Sequence, residues 1–186
     1  MDLEELVTQL SGSEDIEVDD TEDLVDEMEL MNEQECNKVQ RRVKPISVVL
    51  VKLCHIAFKI IHSSTLLLPA WRRVLEELEM IEKQMPHDVT TQWNSTYDMT
   101  SFSGDYQLAI DTMMAKKLNG LWDFELSADE WKIVCQLTLV LKILKDATKF
   151  FSRHDVPNLA TVIPAMDYIN SKFSSFIASP SLDPAI

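Results

Sequence analysis

A mostly α-helical domain with one or two short strands is what this chain predicts, and three observations predict it. Glycine is scarce, three in 186 residues, which leans away from a turn-rich sandwich or barrel. Apolar residues recur at three- and four-residue spacing over long stretches. Ser95 and Ser127 are each followed three residues later by an acid, the spacing at which each side chain satisfies the other's free backbone donor at a helix start. The length suits one hydrophobic core rather than two full domains.

Charge divides the chain. The formal net charge is −14, yet residues 1–37 hold fifteen of the 31 acids and no Lys or Arg, so the remainder is close to neutral. Residues 1–44 read as an acidic disordered tail, because a block of like charges with few aromatics cannot bury enough surface to offset ordering entropy. Leu24, Val25, Met28, Leu30 and Met31 sit among those acids, a mixture also found in disordered activation segments. Cys36, Cys54 and Cys135 are odd in number and far apart, which predicts neither a disulfide framework nor a paired-cysteine zinc site.

The body is expected over residues 45–178, with a frayed end at 179–186. Residues 46–62 form a helix that is apolar on most of its surface, carrying Lys52, His55, Lys59 and His62 on one face. That basic stripe is either a solvated face or a pair of phosphate contacts, Lys52 and Lys59. The lysines and histidine within the run argue against a membrane span, and no basic start followed by an apolar run suggests a signal sequence. His55 and His62, seven apart without a suitable carboxylate or thiol, do not suggest a metal site.

A second helix starts near Pro69, whose missing N–H is no loss in a first turn, with Trp71, Leu75 and Leu78 on its apolar face through about Lys83. Pro86 closes it. The β-branched "DVTTQW" reads as one short strand, and Ser95 with Asp98 as the start of the next helix, which places Trp93 at a strand-to-helix junction. Gly104 weakens that helix, which resumes through Tyr106, Ile110 and Met113. Ser127 and Glu130 open a long helix with Trp131, Val134, Leu137, Leu141, Leu144, Thr148 and Phe151 on one face, and a last helix covers about Ala165 to Ile177.

Enzyme chemistry finds little support in this pattern. Metal-assisted phosphoryl transfer needs about three converging carboxylates, and Asp88 is the one acid placed at a strand end as such a site requires. Asp98 and Glu130 are accounted for as capping residues. There is no glycine-flanked serine, no phosphate-cradling glycine loop and no cysteine with an evident activating partner. Trp93 has two readings: a core ring anchoring strand to helix, or a ring presented to stack on a base lifted from a duplex.

"DVTTQWNSTYDM" (Asp88 to Met99) resembles the Asp-Val-x-Thr-Arg-Trp-Asn-Ser-Thr-Tyr block of hAT-superfamily DNA transposases, the Activator-like group. "KIIHSSTLLLPAWRRVLEEL" before it and "FELSADEWKIVCQLTLVLKILKDATKFFSRHDVPNLATVIPAMDYI" after it are similar to the same family, in its fungal copies especially. The resemblance spans about residues 44–178. It implies a partial ribonuclease-H-like domain in which the block is the last sheet strand, running into a helical insertion. It also implies that Trp93 stacks on a flipped base, with Gln92 and Asn94 beside it as DNA-binding positions. Gln92 stands where the family has arginine, which removes a charged donor for phosphate.

The family's first two catalytic aspartates would precede residue 44, its glutamate would follow residue 186, and no zinc-binding finger is seen. The expectation is therefore a transposase-derived fragment with no catalytic residues and no metal or cofactor of its own, retaining contact with DNA, with a full-length transposase or with another protein. The alternatives are part of an active transposase whose catalytic acids lie outside this chain, and a domesticated nuclear interaction module. No membrane and no small-molecule substrate are expected. The resemblance implies a nuclear location, and "KVQRRVK" (Lys38 to Lys44) is a modest basic patch consistent with it.

Overall fold

In the computed structural model, residues 31–86, 93–152, 158–178, 182–183 and 185–186 are described, residues 93 and 158–161 by their backbone alone. They form α1 (Glu33–His62), α2 (Leu67–Glu77), α3 (Trp93–Asp105), α4 (Gln107–Ala115), two 3-10 turns (Lys117–Asn119 and Trp122–Phe124), α5 (Ala128–Phe151) and α6 (Asn158–Ile177). No strand occurs among the described residues. The strand expected at "DVTTQW" falls outside them except for Trp93, which already belongs to α3.

α1 begins twelve residues before the expected edge of the body. Asn32 accepts from the Glu35 N–H at 2.9 Å, and the Glu35 carboxylate accepts from the Asn32 N–H at 3.2 Å, a reciprocal cap that satisfies two orphan donors. Residues 33–44 are thus helical where a disordered tail was expected, and Pro45 lies inside the helix. By length and composition α1 is apolar enough to cross a membrane. Its Val49, Leu53, Ile56, Ala57 and Ile60 are fully buried against the other helices.

The core gathers around Trp71 of α2, which meets Phe102 and Tyr106 at centroid distances of 6.4 and 6.2 Å. Phe102 and Tyr106 stack on each other at 4.2 Å. The polar tips of these rings reach outward. Trp71 Nε1 donates to the Lys83 carbonyl and the Tyr106 hydroxyl to the Ile81 carbonyl, both at 2.9 Å, so the segment after α2 is tied to the core.

α2 ends earlier than the periodicity predicts. Glu79 turns into the left-handed region (φ 54°), the Met80 N–H donates to the Leu75 carbonyl and the Glu79 N–H to the Glu76 carbonyl. This is a Schellman ending with glutamate where glycine is usual. The break between α3 and α4 falls at Tyr106, as the weakness at Gly104 suggested. α6 starts at Asn158, well before the expected Ala165, and runs through Pro164, which has no N–H to give to the helix ladder. The C-terminal residues expected to fray include an ordered contact: the Asp183 N–H donates to the Gln136 side-chain oxygen at 2.8 Å, and Ile186 packs against the core.

Candidate nucleic-acid interface

The block that opens with Trp93 is held from two sides. On α3, Met99 is fully buried and its sulfur accepts from the Cys54 thiol of α1 at 3.8 Å. Asp98 pairs with Lys145 of α5, whose ammonium also lies 4.6 Å from the Tyr97 ring centroid. Asp98 is therefore not a capping partner of Ser95 as predicted. The helix is already under way at Trp93, and the carboxylate is drawn across to a lysine 47 residues away. Within the helix, Ser103 and Thr100 return their hydroxyls to the Met99 and Thr96 carbonyls, which lets two polar residues be buried without unsatisfied donors.

The lead-in to the block is anchored as well. Met85 is buried to 1 % exposure, two residues before the undescribed 87–92, and Ile81 and Lys83 are tied down by Tyr106 and Trp71. Both flanks of the block are thus fixed to one core. Gln92 lies outside the described residues, Trp93 is placed by its backbone as the first residue of α3, and Asn94 is half-buried beside it.

The basic stripe of α1 is solvated only at its His62 end. Lys52 is 9 % exposed, and its ammonium donates to the Glu130 carboxylate at 2.6 Å and to the Glu125 carbonyl at 2.9 Å. His55 stacks on Phe124 at 5.3 Å, and Lys59 stands 4.4 Å over the same ring. His62 stacks on its neighbour Phe58 at 4.0 Å. The stripe is the seat of the second 3-10 turn and of the start of α5, because a near-complete apolar helix surface leaves its one polar face to receive the polar backbone of a turn. Nor does the fold bring the lysines beside α3. At about 100° per residue, Lys52 and Lys59 lie roughly 150° around α1 from Cys54, where α3 packs.

Burial and charge set the titration of three groups. Burial alone would raise the Glu130 carboxyl, but the Lys52 ammonium and the Ser127 N–H outweigh it and hold it below its ordinary value. Burial raises Asp111, against the opposing pull of hydrogen bonds from Trp131 and Gln107. His55 is lowered by burial and by the Lys59 charge, and its Nε2 is buried without a hydrogen-bond partner. Among the described residues no group of three His, Cys, Asp or Glu side chains is arranged to hold a metal ion.

One exposed feature escaped the sequence reading. The loop between α4 and α5 displays Leu118 at 94 % and Trp122 at 60 % exposure. It is well anchored: Asn119 Nδ2 donates to the Met113 carbonyl at 2.8 Å, Gly120 takes the left-handed conformation (φ 62°), and Leu121 is fully buried between the two exposed residues. Only the run Lys-Lys-Leu-Asn-Gly-Leu-Trp, with a turn inside an apolar stretch, carried a hint of it.

No curated protein and no solved structure matches this chain. One family model does, that of the ZBED1 RNase-like helical domain, over residues 26–140. The match begins seven residues before α1 and ends within α5, so it takes in the block at Trp93, the loop at Trp122 and the Lys52–Glu130 contact. This domain is found in hAT-related proteins of the ZBED type, which agrees with a transposase-derived origin and with the helical architecture. The chain belongs to the ZBED1 RNase-like helical domain family.

Proposed function

We propose that this chain is a non-catalytic helical module of hAT-transposase descent that contacts DNA at the start of α3, with Trp93 as the stacking ring and Gln92 and Asn94 beside it, and that it works in the nucleus without metal or cofactor. The supporting observation is the double anchoring of the block. Met85 before it and Met99 and Phe102 after it are core residues, so the helix that Trp93 opens is held to the core that also holds the lead-in to the block. Three carboxylates are engaged structurally: Glu130 with Lys52, the exposed Asp98 with Lys145, and Asp111 with Trp131 Nε1 at 3.1 Å. Such engagement favours a scaffold over a metal-binding site.

With Lys52 committed internally and Lys59 lying over Phe124, these two lysines offer little to phosphate, so binding at the head of α3 should favour distorted DNA over plain duplex. The test is titration of the purified chain with a DNA hairpin and with duplex across a salt series, wild type against Trp93→Ala. A hairpin preference that the mutant loses by tenfold or more supports the reading, and equal binding of hairpin and duplex by both proteins would sink it.

A second reading, a protein-interaction module whose partner is a transposase or another protein, is favoured by the Leu118 and Trp122 tip. A rigid loop holding a Trp and a Leu out to solvent is the kind of anchor that dominates protein interfaces.

A further inference from the structure

The second half of α5 and all of α6 form a helical pair that is covered on one side only. None of the α6 side chains described is buried, and Ile163, Met166 and Tyr168 are mostly exposed. Between the two helices runs a groove of about 610 Å³, floored by Ile143, Phe150, Ile169 and Phe176. Three charged residues line it, Lys142, Asp146 and Lys172, and Lys149 follows one turn further along α5. An amphipathic helix laid in such a groove would cover apolar floor and meet lysines at the rim.

The chain carries a segment of matching chemistry. Leu3, Leu6, Val7 and Leu10 have the spacing of one helical face. Asp2 and Glu5 are placed as a capping pair, and Gly12 supplies a stop signal. The charged residues of this segment are Asp2, Glu4 and Glu5, all acidic, opposite in sign to Lys142 and Lys172, which outnumber the single acid of the groove, Asp146.

Reach allows the pairing. Eighteen residues separate Gly12 from Met31, and at about 3.3 Å each they span up to roughly 60 Å. α6, at 20 residues, is about 30 Å long. Its Ile177 end shares a small cavity with Val39 and Val43 of α1, and Val39 is eight residues from Met31, about 12 Å along the helix, well within the span of the tether. A tether of this length also keeps the segment at a high effective concentration, which favours the chain's own segment over a free partner.

We propose that residues 2–12 of this chain seat as an amphipathic helix in the groove between α5 and α6, their acids facing Lys142 and Lys172. The proposal does not depend on DNA binding. In the full chain, Leu6 is replaced by a photoreactive phenylalanine analogue and the cross-links are mapped by mass spectrometry, with the same analogue at Val18 as the control. Cross-links within one molecule concentrated on 139–150 and 165–176, reduced at least threefold by Lys142→Glu with Lys172→Glu, are expected. Cross-links no more frequent there than from Val18, or found only between two copies, overturn it. A second measurement needs no change in the groove: Leu6→Asp with Leu10→Asp should speed amide hydrogen exchange across 165–176 about tenfold. Unchanged exchange there also overturns the proposal.

Discussion

The Lys52 ammonium meets the Glu130 carboxylate at 2.6 Å across 78 residues of sequence, while the same carboxylate accepts from the Ser127 N–H at 2.7 Å. One side chain therefore both caps α5 and locks that helix to α1. The lysine side chain is 11 % and the glutamate 21 % exposed, so neither charge is well hydrated and each relies on the other.

Removing one partner should be far worse than removing both. Lys52→Met leaves the carboxylate half-buried and unpaired, with an expected loss of about 3 kcal/mol in a urea unfolding series. The double change Lys52→Met with Glu130→Leu should recover more than half of that loss, apart from about 1 kcal/mol for the missing cap. An additive double mutant would show that the pair is not coupled.

Acid should weaken the same contact. Glu130 is held below its ordinary value of 4.5, so its contribution to stability is present above pH 4.5 and is lost as pH falls through the lower folded value. Asp111, raised above 3.8, has the opposite sign: its burial destabilises the fold as pH rises past 3.8 through the folded value. Stability against pH in Asp111→Asn isolates the glutamate, and Glu130→Gln in that background should flatten the remaining acid limb. A limb that persists undiminished would assign it to other groups.

His55 should supply a separate dependence at higher pH. Its folded value lies below 6.5, so the unfolded chain takes up the proton first and stability falls as pH drops from 6.5 toward the folded value. His55→Phe keeps a ring against Phe124 and removes the unpartnered buried nitrogen, an exchange expected to leave the protein equally stable or about 1 kcal/mol more stable. Below pH 6.5 the stability of this variant should fall less steeply with pH than that of the wild type, which thermal melts at a series of pH values would read.

The ending of α2 predicts a stabilising change. Glu79 adopts φ 54°, where a side chain is strained and glycine is not. Glu79→Gly should therefore stabilise by about 1 kcal/mol, less the added freedom of the unfolded chain. A drop in Tm would mean that the glutamate side chain makes a compensating contact.

The loop at Trp122 separates stability from binding. Leu118→Ser and Trp122→Ala lie on exposed positions and should change stability by no more than about 0.5 kcal/mol. If the tip is an interaction anchor, pull-down of a transposase-type partner should fall at least tenfold in Trp122→Ala while hairpin DNA binding is unchanged. Loss of DNA binding in that variant instead would assign the stacking role to Trp122.

What the sequence by itself determined is local. The periodic runs of α1, α2 and α5, the Ser127–Glu130 cap and the weak point near Gly104 rest on interactions within a few residues, and such interactions are written in spacing. The start of α1 at Asn32 carried a reciprocal cap too, yet it was hidden by an acidic composition that outweighed it. Only the tertiary structure decided where polar groups go once helices pack. Lys52 and Lys59 read as either a solvated face or a pair of phosphate contacts, and nothing nearby in sequence announces Glu130 or Phe124. Asp98 read as a cap because its nearest candidate was Ser95, until Lys145 arrived from 47 residues away. Side-chain partners at such separations are set by which helix faces meet, and that choice belongs to the summed burial of the whole core, in which no single residue's neighbours in sequence have a part.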